Sequence, residues 1–186
     1  PAVQDRIIGK ALHELLSRFF EPEFDPRSYG FRPGRQRMQA LAEATMVAER
    51  ECRFTWIVDD LVEAFESVPL PRLWQILRAR LPGGDSFVEL LQQAIGVDRQ
   101  RGLPTGHPLS PLLLNIYLDH LLDRWWRQQY PHIPLLRTAD DLVVLCASPE
   151  EAAGCHVALT RRSQGAGFQL HGRTASPVHD VRRESV

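Results

Sequence analysis

Apolar positions in the first twenty residues fall at Ile7, Ile8, Ala11, Leu12, Leu15, Leu16, Phe19 and Phe20. Recurrence at i, i+1, i+4 and i+5 places them on one face of an amphipathic helix. Glu-Pro-Glu-Phe-Asp-Pro at 21–26 ends it, because two prolines so close cannot continue a helix. A turn-rich stretch, Ser28 to Arg35, leads to a second helical run from about Met38 to Arg50. Phe54-Thr-Trp-Ile-Val58 is short, aromatic and β-branched, a buried strand that runs straight into Asp59-Asp60. Pro71 opens a helix through Leu81, and Asp85 or Ser86 caps another with Phe87, Leu90, Leu91 and Ala94 on one face. Ser110-Pro111 starts a long apolar helix from Leu112 to about Arg127.

Two apolar runs, Pro134–Ala139 and Leu142–Cys146, flank Asp140-Asp141. They read as a hairpin with both carboxylates at its tip. Ser148-Pro149-Glu150-Glu151 matches a capping box opening a helix to about Gln164, and Phe168–Leu170 reads as a last short strand. From Ala175 to Val186 no pattern is visible, and a frayed tail is expected. Helices and a few strands together predict an α+β fold: a small antiparallel sheet with helices packed on one face.

The 186 residues, 44% apolar and 24% charged, suit one domain with a real core and exclude a wholly disordered chain. No run of about 18 apolar residues occurs, and the first ten residues lack a secretory pattern. Cys52, Cys146 and Cys155 are odd in number and widely spaced, which argues against a disulfide frame or a zinc site. The expectation is a soluble, cytoplasmic protein without a membrane partner.

Net charge is −1, yet charge is unevenly placed. Arg27, Arg32, Arg35 and Arg37 form a basic stretch, and Asp59, Asp60, Glu63 and Glu66 an acidic one. This suits a site handling phosphates and cations, although two solvated patches would look the same.

Asp60 ends one strand, and Asp140 and Asp141 sit on a hairpin, so neighbouring strands would gather three carboxylates. Such oxygen donors suit Mg²⁺, and a pair of ions can stabilise the attacking and leaving oxygens of phosphoryl transfer. Turn residues at 140–141 and a strand-ending cap at 60 are the plainer alternative. The pattern alone leaves both open.

Five stretches carry a resemblance to the reverse transcriptases of bacterial group II introns and their retron-type relatives. Asp5-Arg-Ile-Ile, Phe20-Glu-Pro-Glu-Phe and Ser28-Tyr-Gly-Phe-Arg-Pro-Gly-Arg35 together look like the family's fingers-to-palm segment. Ile57-Val-Asp-Asp60-Leu-Val-Glu-Ala-Phe65 is similar to the first palm motif. Gly102-Leu-Pro-Thr-Gly106 with Pro108-Leu-Ser-Pro-Leu-Leu-Leu-Asn-Ile-Tyr-Leu-Asp119 resembles the second. Thr138-Ala-Asp-Asp141 resembles the two-aspartate box and Gly167-Phe-Gln-Leu170 the motif after it.

The resemblance implies a polymerase palm over 54–174, partial fingers with the fingers-to-palm segment over 1–53, a disordered tail over 175–186 and no thumb. It implies an RNA-directed DNA polymerase that adds deoxynucleotides to a primer 3′-hydroxyl. Its cofactor would be two Mg²⁺ ions, for which Mn²⁺ can substitute. Asp60 and Asp140 would bind the metals with Asp141 assisting, all three being catalytic. Phe65 would lie under the incoming sugar, and Pro104, Thr105 and Gly106 against the nucleotide. Arg32 and Arg35 would contact the template backbone or order the fingers, while Asn115 and Tyr117 would pack their helix. Partners would be an RNA template, a DNA primer, deoxynucleoside triphosphates and, for an intron-borne element, the intron RNA; the oligomeric state stays open. The family usually has glutamine at Thr105 and tyrosine at Thr138, and Arg173 stands nearest to its usual lysine. These departures keep a rival reading in view: a truncated or decayed palm that at most binds RNA.

Overall fold

A computed structural model describes residues 3–96, 100–172 and 177–182. Helix α1 spans Val3–Phe20 and passes through a 3₁₀ turn, Glu21–Glu23, at the expected prolines. Helix α2 is Arg37–Glu51, strand β1 Thr55–Asp60, and α3 a single turn, Ala64–Ser67. Helices α4 (Leu70–Arg80), α5 (Gly84–Ile95) and α6 (Ser110–Leu118) follow. A π-helical turn, Asp119–Asp123, leads to α7 (Arg124–Gln129). Strands β2 (Leu135–Thr138) and β3 (Asp141–Cys146), helix α8 (Pro149–Ala166) and strand β4 (Val178–Asp180) complete the order.

The chain divides into two compact units, one of Pro1–Phe24 with Glu63–His120 and one of Asp25–Val62 with Leu121–Val186. The first is helical. Its core joins Leu12, Leu16 and Phe20 of α1, Leu73 and Leu77 of α4, Val88 and Leu91 of α5, and every residue of α6 except Pro111. Only part of the expected apolar face of α1 is covered: Ile7, Ile8, Leu15 and Phe19 stay exposed. Helix α5 starts at Gly84, ahead of the expected cap, because Gly83 takes a left-handed conformation there.

The second unit holds a four-stranded antiparallel sheet in the order β2-β3-β1-β4. Alternation along β1 sends Ile57 and Asp59 to one face and Trp56, Val58 and Asp60 to the other. Helix α8 packs on the first face, opened by Ser148, whose hydroxyl accepts the Glu151 N–H (3.2 Å) as expected of a cap. Trp56, Leu136 and Leu145 on the second face join Ala40, Ala44, Val47 and Ala48 of α2 and Tyr29 in one apolar cluster.

Two expectations change. The Ala175–Val186 segment has the sequence of a frayed tail, but within it β4 pairs with β1, Trp56 opposite His179. Those residues have no apolar periodicity of their own, and the open edge of β1 supplies the order. The expected strand at 168–170 is a single bridge between Leu61 and Leu170. Cys52, Cys146 and Cys155 are free thiols, and among the described residues no helix is long and apolar enough to cross a membrane.

Candidate active site

The β-branched and aromatic run at 55–58 makes β1 a central strand, paired with β3 on one side and β4 on the other. The β1–β3 register sets Asp60 directly opposite Asp141. Residues so opposed project to the same face with their Cβ atoms about 4.5–5.5 Å apart. Asp140 occupies the hairpin turn, where its backbone carbonyl accepts the Leu61 N–H (3.1 Å). All three aspartates therefore gather at one end of the sheet. Asp60 is buried, Asp140 and Asp141 partly so. The exposed Arg37 guanidinium approaches Asp141 at 3.9 Å, a contact that solvent screens.

The hairpin tip is a forced shape. Thr138 pairs with Asp141 across the two-residue loop Ala139-Asp140, and Ala139 adopts φ +61°. Few residues other than glycine tolerate that region. Arg137 holds the turn: its guanidinium donates to both carboxylate oxygens of Asp123 (2.6–3.0 Å), to the Ala139 carbonyl (2.9 Å) and to the Ser28 hydroxyl (2.9 Å). Gly30 lies flat against the same turn. A Cβ at Gly30 would fall 2.1 Å from the Ala139 nitrogen.

The same framework explains the basic stretch. Arg32 is buried and donates to the carbonyls of Asp25 and Ser28 (2.8 Å each). Arg35 donates to the Pro26 carbonyl (2.6 Å) and lies 5.3 Å from the centre of the Tyr29 ring. Both arginines thus order their own loop. The Tyr29 hydroxyl donates to the Glu43 carboxylate. Burial and that neighbouring carboxylate push its pKa up to about 12.

Asp59 behaves unlike Asp60. On the α8 face, its Oδ1 accepts the N–H groups of Asp60 (2.9 Å) and Gly172 (3.0 Å), and its Oδ2 faces His156 Nε2 at 3.5 Å. The two aspartates of the acidic stretch therefore point to opposite faces of the sheet. Sequence reasoning passed over His156, Gly30 and Arg137. An arginine inside an apolar strand was the one signal available, since a buried guanidinium demands partners.

The expected nucleotide-binding residues lie in the helical unit and meet there. The Leu103 N–H donates to the Phe65 carbonyl (2.8 Å) and the Gly102 N–H to the Val68 carbonyl (2.9 Å), strapping the loop before Pro104 onto α3. The Ser110 hydroxyl donates to the Pro104 carbonyl (2.7 Å), and Thr105 Oγ1 lies 3.4 Å from Glu66 Oε1. Phe65 is half-buried; Thr105 and Gly106 are exposed, Gly106 with φ +78°. Asn115 and Tyr117 are buried in α6. Arg173 lies outside the described residues.

Among the described residues, no three His, Cys, Asp or Glu side chains stand close enough, as placed, to hold a metal ion. The donor set at the sheet end nevertheless fits a hard divalent cation: three carboxylates on adjoining backbone positions, whose mutual repulsion a cation would relieve.

Comparison with known proteins bears on this arrangement. Residues 1–173 match the family described as reverse transcriptase (RNA-dependent DNA polymerase). Protein YkfC of Escherichia coli is 31% identical over 142 residues, 70% of this chain and 37% of that protein. An uncharacterized 91 kDa protein in the cob intron of Schizosaccharomyces pombe is 31% identical over 66% of this chain and 16% of its own length. The group II intron-encoded protein LtrA of Lactococcus lactis is 29% identical over 67% of this chain and 22% of its own. Telomerase from Candida tropicalis superposes with a TM-score of 0.69 over 95% of this chain and 37% of that one, at 9% identity. Telomerase from Candida albicans does so at 0.64 over 91% and 34%. These likenesses support a palm-like fold, and the chain spans well under half the length of each of these proteins.

Proposed function

The chain belongs to the reverse transcriptase family of RNA-directed DNA polymerases, and on that premise we propose that Asp60, Asp140 and Asp141 form the metal-binding centre of nucleotide addition. The substrates would be a primer 3′-hydroxyl and deoxynucleoside triphosphates, on an RNA template that includes intron RNA if the element is an intron. The observation that carries this reading is the β1–β3 register, which sets Asp60 across from Asp141 with Asp140 on the turn beside them. Divalent cations bound there, Mg²⁺ by preference and Mn²⁺ as substitute, would lower the pKa of the attacking hydroxyl and offset charge on the phosphates.

The remaining steps belong to the chain itself. The Phe65 ring would pack under the sugar and crowd a 2′-hydroxyl. Its carbonyl bond to Leu103 keeps the ring's helix and the Pro104–Gly106 loop in a fixed relation, so that one element can read the sugar and the other the base. Gly106, exposed and left-handed, leaves room for close approach to a nucleotide. Arg35, less buried than Arg32, is the better placed of the two to touch a template phosphate.

The second reading, a palm that binds RNA without turnover, draws on threonine at 105 and 138. Primer extension on poly(rA)/oligo(dT) with Mg²⁺ separates them, using the full reading frame beside its Asp140→Asn variant. The expected result is extension by the wild type that falls by at least about a hundredfold in the variant. Extension unaffected by the substitution, or RNA binding by a folded protein without extension, would overturn the polymerase assignment.

A further inference from the structure

Asp59 has its side chain 1% exposed on the α8 side of the sheet, behind the proposed metal centre. A buried carboxylate is costly unless its oxygens are used. Oδ1 is used twice, accepting the N–H groups of Asp60 and of Gly172. The carbonyl of Asp60, in turn, accepts the N–H of His171 (2.9 Å). Backbone groups on both sides of the Asp60 Cα are therefore tied to the 171–172 segment, one directly and one through the Asp59 carboxylate. Oδ2 and His156 Nε2 face each other at 3.5 Å, and neither has a hydrogen bond within the described residues. The ring thus closes off the second oxygen without competing for the first.

We propose that Asp59 is a positioning residue for Asp60: its carboxylate clamps the Asp60 amide to Gly172, with the His156 ring as its backing, and so fixes the direction in which the Asp60 side chain leaves β1. The proposal rests on the reading of Asp60 as a metal ligand. Adjacent strand residues point to opposite faces, so Asp59 cannot join the same ion and acts through the backbone instead. Groups that orient a ligand in this way are commonly worth about 10–100-fold in metal affinity.

The test uses Mn²⁺ binding followed by electron paramagnetic resonance, with amide hydrogen exchange at Asp60 and Gly172 and melting curves to confirm folding. Asp59→Ala is expected to weaken Mn²⁺ binding about tenfold and to speed exchange at both amides. Asp59→Asn keeps the Oδ1 acceptor while removing the charge, and is expected to retain most of the affinity and protection. A charge effect through space would instead make the asparagine variant as weak as alanine, and that result would overturn the proposal. So would unchanged affinity and exchange in folded Asp59→Ala. Should Asp59→Ala fail to fold, Asp59→Asn decides between the same two outcomes. Wild-type protein that takes up no Mn²⁺, with Asp60→Asn no different, would count against the metal reading itself. The exchange measurement would still judge the clamp.

Discussion

Arg137 sits almost wholly out of solvent in a strand of apolar neighbours, and the hydrogen bonds of its guanidinium to Asp123, Ala139 and Ser28 account for its being there. Removing it would leave Asp123 buried beside an empty space, and breaking such a pair typically costs about 3–5 kcal/mol. Arg137→Leu is therefore expected to lower unfolding stability by that amount in urea titration, and to loosen the turn that carries Asp140. Asp123 lies fourteen residues away in sequence, which is why the pair could not be read beforehand. By contrast, Asp60, Asp140 and Asp141 were legible, because each ends or interrupts an apolar run. Assigning Asp59 and Asp60 to opposite faces needed only the alternation of a strand. What Asp59 touches depends on where α8 and Gly172 come to lie, and neither follows from spacing.

At the scale of elements, the hairpin β2–β3 and the loop before α2 are built against each other. Gly30 is the contact point: a methyl group there would overlap the Ala139 backbone, which cannot give way without moving Asp140. Gly30→Ala is expected to destabilise the protein by more than about 2 kcal/mol in thermal melts, beyond the usual range for a surface alanine. The Ser28–Arg35 loop thus matters as the bed of the hairpin that carries Asp140, with Arg32 and Arg35 holding its shape. Elements with strong local signals were legible. The Ser148 cap and the aromatic strand at β1 are cases, although β1 runs on through both aspartates. The π-helical turn at Asp119–Asp123 and the strand β4 were not, since no residue type in the first marks a change of helical pitch and the second depends on a free sheet edge.

For the whole molecule, the formal charge of −1 means that affinity for a nucleic acid has to come from local placement of arginines rather than from a general field. The chain covers 16–37% of the length of the relatives compared with it. Family membership and the palm-like fold were both legible, because five short stretches keep their order along nearly the whole chain. Three of those residues, Asp60, Asp140 and Asp141, would carry the chemistry proposed, as ligands of one metal centre. Anomalous diffraction from crystals soaked in MnCl₂ tests it most directly. A manganese peak is expected at the end of β1 and β3, ligated by Asp60 and Asp140, with Asp141 alongside, and lost in Asp140→Asn. Manganese bound elsewhere on the chain, or a peak that persists unchanged in that variant, would contradict it.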